Sequence, residues 1–331
     1  MSMKGIRNFL ISTLKTLILP VLVFVVFALL TNGRSASQRM LLNTIRQSIV
    51  PMLICWGLMM TMSMSMMNFC GGAAMLAAGI IGGNLAKMMG GGILELLVIC
   101  AALGVVIGLL TGLLYNKLRV PCMVLTIGLM LFFEALPRVF FSGGVRMTNV
   151  VKLSMAPNCY YVALVMFVVF YVLYECLPFG HNMRAIGASP SIAATVGLDA
   201  DKIKLKAFIA SGLFFGVASA VYVSANGEVR NVSTMGSMQI MMDGFMGMFL
   251  AMFMATFCKL PIAVVVSTFT MKMMSNGFVA LGMDATVRDL ANGVFLLILL
   301  TISANSGLFA RKKADKAFKA EAEAELAKAA S

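Results

Sequence analysis

Few side chains in this chain have the type and spacing to do chemistry, and those few are scattered. His181 is the single histidine, and no cysteine or carboxylate is spaced to share a metal with it, so it reads as a loop residue rather than a ligand. The sequence holds no G-x-x-x-x-G-K-[ST] phosphate loop and no G-x-G-x-x-G following a strand. No pair of carboxylates is placed for general acid–base work, so a self-contained enzyme is not expected. What remains is a handful of polar groups inside apolar sequence, where they are costly and therefore functional candidates. Glu134 and Asp243 lie within hydrophobic runs. Arg138 is one helical turn from Glu134, which suggests an internal ion pair. Asp243 precedes Gly244 and has no basic neighbour close in sequence, which leaves a wet pathway, a bond to another helix or a place near an interface.

The sharpest candidate for a solute pathway is "MSMMNFCGG", Met64 to Gly72. Two hydrophobic runs abut there with almost no loop, and Gly71 and Gly72 can relax the backbone. A broken or re-entrant helix would expose backbone donors and acceptors to a cavity; the alternative is a tight hairpin between two ordinary helices. Asn68 could hydrogen-bond a neutral polar solute, and Phe69 could offer a ring. Met60, Met64 and Met67 share a helical face, and thioethers suit Cu(I), but with 31 methionines in the chain flexible apolar filling is the simpler account.

The elements that must position these groups are membrane helices. The chain has 331 residues, of which 60% are hydrophobic and 12% charged, where a soluble domain carries about a quarter charged residues. The apolar runs are continuous rather than alternating, so they read as helices of ~20 residues. Ten spans follow: Asn8–Leu30, Ser48–Met67, Cys70–Met88, Ile93–Tyr115, Val120–Phe141, Tyr160–Phe179, Ala207–Ala225, Met238–Phe257, Leu260–Leu281 and Leu290–Phe309. The fold class is therefore all-α, a polytopic membrane bundle. Lys and Arg favour the segments that would be cytosolic if both termini are inside, although Arg34, Arg39 and Arg46 pull the other way. No cleavable signal peptide is expected, since the first apolar run is long enough to span. The net charge of +13 is spread over loops facing anionic lipid rather than gathered on one domain, which disfavours nucleic acid as a partner. The seven cysteines are dispersed without a C-x-x-C pair, so no disulfide framework is expected.

Small residues mark where helices approach closely. Gly104, Gly108 and Gly112 recur every four residues, as do Gly212, Gly216 and Ala220, and such faces let membrane helices pack backbone to backbone. A static bundle and a sliding gate fit that pattern equally.

Between the sixth and seventh runs stands "RAIGASPSIAATVGLDADKIKLKAF", too polar to span and too regular for a slack linker. It resembles the cytoplasmic coupling loop of bacterial ABC-importer permeases of the ribose and branched-chain amino-acid type, with the ribose-type sugar permeases the nearest pattern. The matching positions are Gly187, Ser189, Pro190, Ala193, Ala194, Gly197 and Leu198, followed by Lys202 and Lys204. The resemblance implies a short coupling helix docking on an ATPase subunit. It continues in "GLMMTMSMSMMNFCGG", in "GLLTGLLYNKLRVPCMVLTIGLML" and in "SNGFVALGM". Asn68 and Cys70 stand where the family has Asp and Ser, and "MFLAMFMATFCKLP" replaces the family's Gly-Gly-x-Ser segment. Asp243 falls within one residue of the family's eighth-helix acid.

The resemblance implies a type II importer-like permease over residues 1–309, with a coupling loop at 181–206 and a charged, Ala-rich cytosolic tail at 310–331. Its expected partners are ABC ATPase subunits, a second permease chain in a homodimer or heterodimer, an extracytoplasmic solute-binding protein and membrane lipid. ATP and Mg²⁺ would be bound by the ATPase partner, with no cofactor or metal on this chain. The expected location is the bacterial inner membrane, with both termini cytosolic. The pathway residues are expected to be Asn68, Phe69, Gly72 and Asp243. The neutral Asn68 and the few intramembrane charges lean toward a sugar or nucleoside. An ion-coupled secondary transporter and a non-transporting membrane scaffold are the rival readings.

Overall fold

Continuous apolar sequence leaves the backbone no partner but itself, and the described residues are helical almost throughout. The computed structural model describes residues 18–31, 37–141, 143–256, 258–284, 286–295, 297–298 and 301. The charged tail at 310–331 lies outside them, as does part of each terminal span. Helix α1 is Ile18–Leu30. It is followed by α2 (Gln38–Met62), α3 (Gly71–Met89), α4 (Ile93–Leu118), α5 (Cys122–Phe140), a strand β1 (Val145–Arg146) and a single turn α6 (Val151–Ser154). Next come α7 (Asn158–Tyr171), which runs on through a π-helical turn at Val172–Cys176, then α8 (Pro178–Ala188), α9 (Pro190–Thr195) and α10 (Ala200–Asn226). Strand β2 (Glu228–Val229), α11 (Ser237–Met254) and α12 (Leu260–Ala280) complete the bundle, and a helix α13 occupies 286–295.

Eight of these helices are long and apolar enough to cross a membrane, and they coincide with the second to ninth expected spans. Two differ in extent. Helix α2 begins at Gln38 rather than Ser48 and ends at Met62 rather than Met67. Helix α10 begins at Ala200, so Lys202, Lys204 and Lys206 ride on its first turns rather than in a loop. Its start is set by Asp199, whose side chain accepts from the Lys202 N–H at 3.2 Å and pairs with the Lys202 ammonium at 2.9 Å; that bond holds the Asp199 carboxyl below its ordinary range. Pro178 and Pro190 open α8 and α9, where a missing N–H costs nothing.

The two stripes of small residues meet each other. A Cβ on Gly104 would run into the carbonyl of Gly212, one on Gly108 into that of Phe208, and one on Gly216 into that of Cys100. Helices α4 and α10 therefore touch backbone to backbone, and α10 carries the fully buried Phe208, Phe214 and Phe215 into the centre. Outward faces of α4, α5 and α7 stay apolar, with Leu110, Phe132 and Leu164 exposed, as a lipid-facing surface requires. At one end of α10, β2 pairs antiparallel with β1, Val145 opposite Val229. At the other end stand α8 and α9. With 27 residues between, those ends are about 40 Å apart at 1.5 Å per residue.

Substituting Gly108 or Gly212 by Val is expected to lower stability by roughly 1–3 kcal/mol or more, because backbone rather than a movable side chain stands in the way. Gly128, which faces open space, should accept Ala unchanged or with up to about 1 kcal/mol of gain. Thermal melts in detergent measure both, and a Gly108→Val melt matching the parent would refute the close-contact account.

Candidate functional site

Three polar regions lie along the bundle. The first is the α8–α9 end. Ser189 starts α9, its Oγ accepting from the Ile192 N–H at 3.5 Å. Ala193 points inward and is buried, while Ile192 is 65% and Val196 75% exposed. Those two are four residues apart, so they form one apolar ridge off the tip of the bundle. Pro190, Ala194 and Gly197 are also exposed, and Gly197 adopts φ +82°, which suits a glycine ending the turn. Gly187 faces the other way: a Cβ there would strike the Ser63 carbonyl at the end of α2. The small residues thus let this segment approach its own bundle, and the exposed ridge is aliphatic. Tyr174 ties the region together. Its hydroxyl accepts from Ser63 Oγ at 3.2 Å, and its ring lies 4.9 Å beneath the Arg184 guanidinium, which also pairs with Glu175 at 3.8 Å. His181 makes a local 3.2 Å contact with the Leu177 carbonyl.

The second region is the break between α2 and α3. The segment 63–70 is not helical, and Ser65 adopts φ +58°. Gly57 and Gly71 both lie against the Phe215 ring, so the chain descends past Phe215, turns, and returns to that level before α3 begins. Helix α3 therefore starts inside the bundle. Asn68 is buried, and its Oδ1 accepts from the Cys70 N–H at 3.1 Å and from the Cys70 thiol at 3.0 Å. The Phe69 N–H donates to Thr126 Oγ1 at 3.2 Å, and its ring packs 5.3 Å from that of Phe245. Helix α11 also begins inside. The buried carboxylate of Glu134 accepts from the Ser237 N–H at 2.9 Å and the Met235 N–H at 3.1 Å, placing a negative charge at the positive end of the helix. The expected Glu134–Arg138 pair is not among the ion pairs of the described residues; the carboxylate caps α11 instead. Gly72 joins the two starts, its N–H donating to Met241 Sδ at 3.3 Å, with no room for a Cβ beside the Ser237 carbonyl. Met60, Met64 and Met66 are buried among apolar neighbours as core filling.

The third region is a cavity of about 560 Å³, within the range of small-molecule sites. It is lined from α2 by Asn43, Arg46 and Gln47, from α10 by Tyr222 and Asn226, from α11 by Asp243 and from α12 by Lys272. Lys272 Nζ lies 2.6 Å from Asp243 Oδ2, so Asp243 finds a cation 29 residues away that sequence spacing did not reveal. Of the expected pathway residues, Asp243 lines this cavity; Asn68, Phe69 and Gly72 are not among its lining residues. Ile192, Val196 and Tyr174 are not singled out by the sequence, and Arg46 and Lys272 stand out there only as cations, not as site residues. The signal for Arg46 was there in part, as a cation on the wrong side of the charge bias and next to a hydrophobic run.

A family model described as "Branched-chain amino acid transport system / permease component" matches residues 40–303. No curated protein matches the chain, and no solved structure does.

The Asp243–Lys272 bond has a measurable consequence. Asp243→Asn and Lys272→Met should each destabilise the protein, and the double variant should lose less than the sum of the two, with a coupling of about 0.5–3 kcal/mol. A double-mutant cycle of melting curves that closes to zero would show that the pair contributes nothing.

Proposed function

The chain belongs to the branched-chain amino acid transport system / permease component family, and from that premise we propose that it is the membrane-spanning subunit of an ATP-driven importer for a small polar solute. It is a multi-pass membrane protein and an ABC transporter permease component; its partners in the family sense are an ATPase and other ABC components. On the proposed reading, two permease chains enclose the pathway and the ATPase docks on the α8–α9 end. An extracytoplasmic binding protein delivers solute at the β1–β2 end, and the proposed location is a bacterial inner membrane with both termini cytosolic.

The observation that supports this reading best is the ridge of Ile192 and Val196 at the tip of α9. An exposed aliphatic pair on a short capped helix is what a docking face would present to a partner. Gly187 and Tyr174 seat it against Ser63 at the end of α2, immediately before the break that opens α3. A load on the ridge therefore reaches α2 and the break, the kind of rigid-element linkage that alternating access needs. The lean toward a sugar or nucleoside rests on Asn68 and on the few intramembrane charges; the Asn68 carboxamide oxygen is engaged ahead of α3, and the charges at the cavity bear more directly on the solute. An ion-coupled transporter is the second reading, favoured by Asp243–Lys272 at the cavity, and it requires no ATPase.

Native mass spectrometry of the tagged chain, gently purified from its own host, separates the two. The chain should carry ATPase subunits, and the masses tell one permease species from two. Ile192→Asp/Val196→Asp should reduce ATPase retention roughly tenfold or more through loss of two buried apolar contacts, with little change in melting, since both side chains are exposed. Isolation of the intact chain alone, under conditions that preserve a control complex, would overturn the importer reading.

A further inference from the structure

The cavity at the end opposite α9 carries an unbalanced charge. Two cations, Arg46 and Lys272, share it with one carboxylate, Asp243. Asp243 Oδ2 is taken by Lys272 Nζ at 2.6 Å. Arg46 is half-buried and belongs to none of the ion pairs among the described residues. Each of the three charges lies about two turns inside its helix, counted from Gln38, Ser237 and Ala280. A guanidinium at such a depth without a counter-charge is expensive, and a planar five-donor fork is suited to a carboxylate. Around it stand Asn43, Gln47, Tyr222 and Asn226, whose amides and hydroxyl supply both donors and acceptors for a polyhydroxylated or amide-bearing body.

We propose that this cavity is a solute site selective for a small polar molecule bearing one anionic group, preferably a carboxylate, which Arg46 holds while Asp243 keeps Lys272 oriented toward the same space. The inference rests on the permease reading and deepens it by assigning a solute class. It replaces a neutral sugar with an acidic one, or with another singly anionic polar solute. A small-molecule anion and the headgroup of an anionic lipid share this chemistry, and the experiment distinguishes them.

Saturation-transfer NMR on the full-length chain in phosphatidylcholine nanodiscs, with galacturonate and its neutral parent galactose as probes, tests the site directly. Galacturonate should give the stronger transfer, and Arg46→Gln should weaken its binding roughly tenfold, the loss of one charge-assisted contact. Arg46→Lys, which keeps the charge, should retain part of the preference. Arg119→Gln, at the far end of the bundle, should retain all of it. Arg46 makes no described hydrogen bond and its charge is uncompensated, so Arg46→Gln should melt no lower than the parent. Equal transfer from the two probes, or a preference that survives Arg46→Gln, would overturn the proposal. So would loss of the galacturonate signal when phosphatidylglycerol is added to the nanodisc, which would assign the cavity to a lipid headgroup. Because this readout needs no ATPase, it fails or succeeds independently of the co-purification that tests the importer reading.

Discussion

Satisfaction of backbone polar groups in a medium without water is the constraint on which this structure turns. A helix that starts at a membrane surface can leave its first N–H groups to water, but α3 and α11 both start inside the bundle. Each start is closed by one buried side chain. Asn68 accepts from the Cys70 N–H ahead of α3, and Glu134 accepts from the Met235 and Ser237 N–H groups ahead of α11. The strip between α2 and α3 is tied down in the same way: the Met67 carbonyl accepts from the Cys122 thiol, and the Phe69 N–H donates to Thr126. Both partners stand on α5, as does Glu134. One helix therefore supplies the acceptors and donors that allow two others to begin in the interior. A buried carboxylate is tolerable here because two amide donors and the α11 dipole offset its charge.

The extent of the fold was legible because continuous hydrophobicity is a strong signal, and eight spans fell where the apolar runs placed them. The errors have a common physical origin. The stretch "QRMLLNTIRQ" ahead of Ser48 is polar because part of it faces the cavity, and polarity read along one dimension looks like a loop. The sequence therefore reads α2 as starting at Ser48 rather than Gln38, and Arg46 as a loop cation. At the other end, Met64 to Met67 are as apolar as a helix but sit in an irregular strip, which hydropathy does not distinguish from one.

Pairing was less legible than placement. Sequence spacing offers Arg138 to Glu134, yet the carboxylate turns to amides more than a hundred residues away. It offers no cation to Asp243, yet Lys272 reaches it from α12. In both cases the partner is set by helix packing, and the small-residue stripes that determine that packing say which faces are close without saying which helices they join. The α9 end shows the same limit. Gly187 and Ala193 are small because they abut the chain's own bundle, whereas Ile192 and Val196, which face outward, look in sequence like unremarkable aliphatic residues.

Helix α2 is the element through which the two ends of the molecule bear on each other. It is capped at its C-terminal end by Ser63, which Gly187 and Tyr174 contact, and its C-terminal half carries Ile54 and Leu58, which lie against Gly244 with no space for a Cβ between. Gly244 adjoins Asp243, and Arg46 projects from α2 about two turns before Ile54, so the cavity has its guanidinium on α2 and its carboxylate on a neighbour that α2 touches backbone to side chain. A shift of α2 along its axis would therefore change the Arg46–Asp243 separation as it moves the α9 seat. Pro51 sits in α2 between Arg46 and Ile54 and is buried, where it removes one backbone hydrogen bond. The cavity lining runs along α2 from Asn43 through Pro51 to Ile54, and the seat of Gly187 lies at the end of the same helix, so one helix carries contacts to both ends of the bundle.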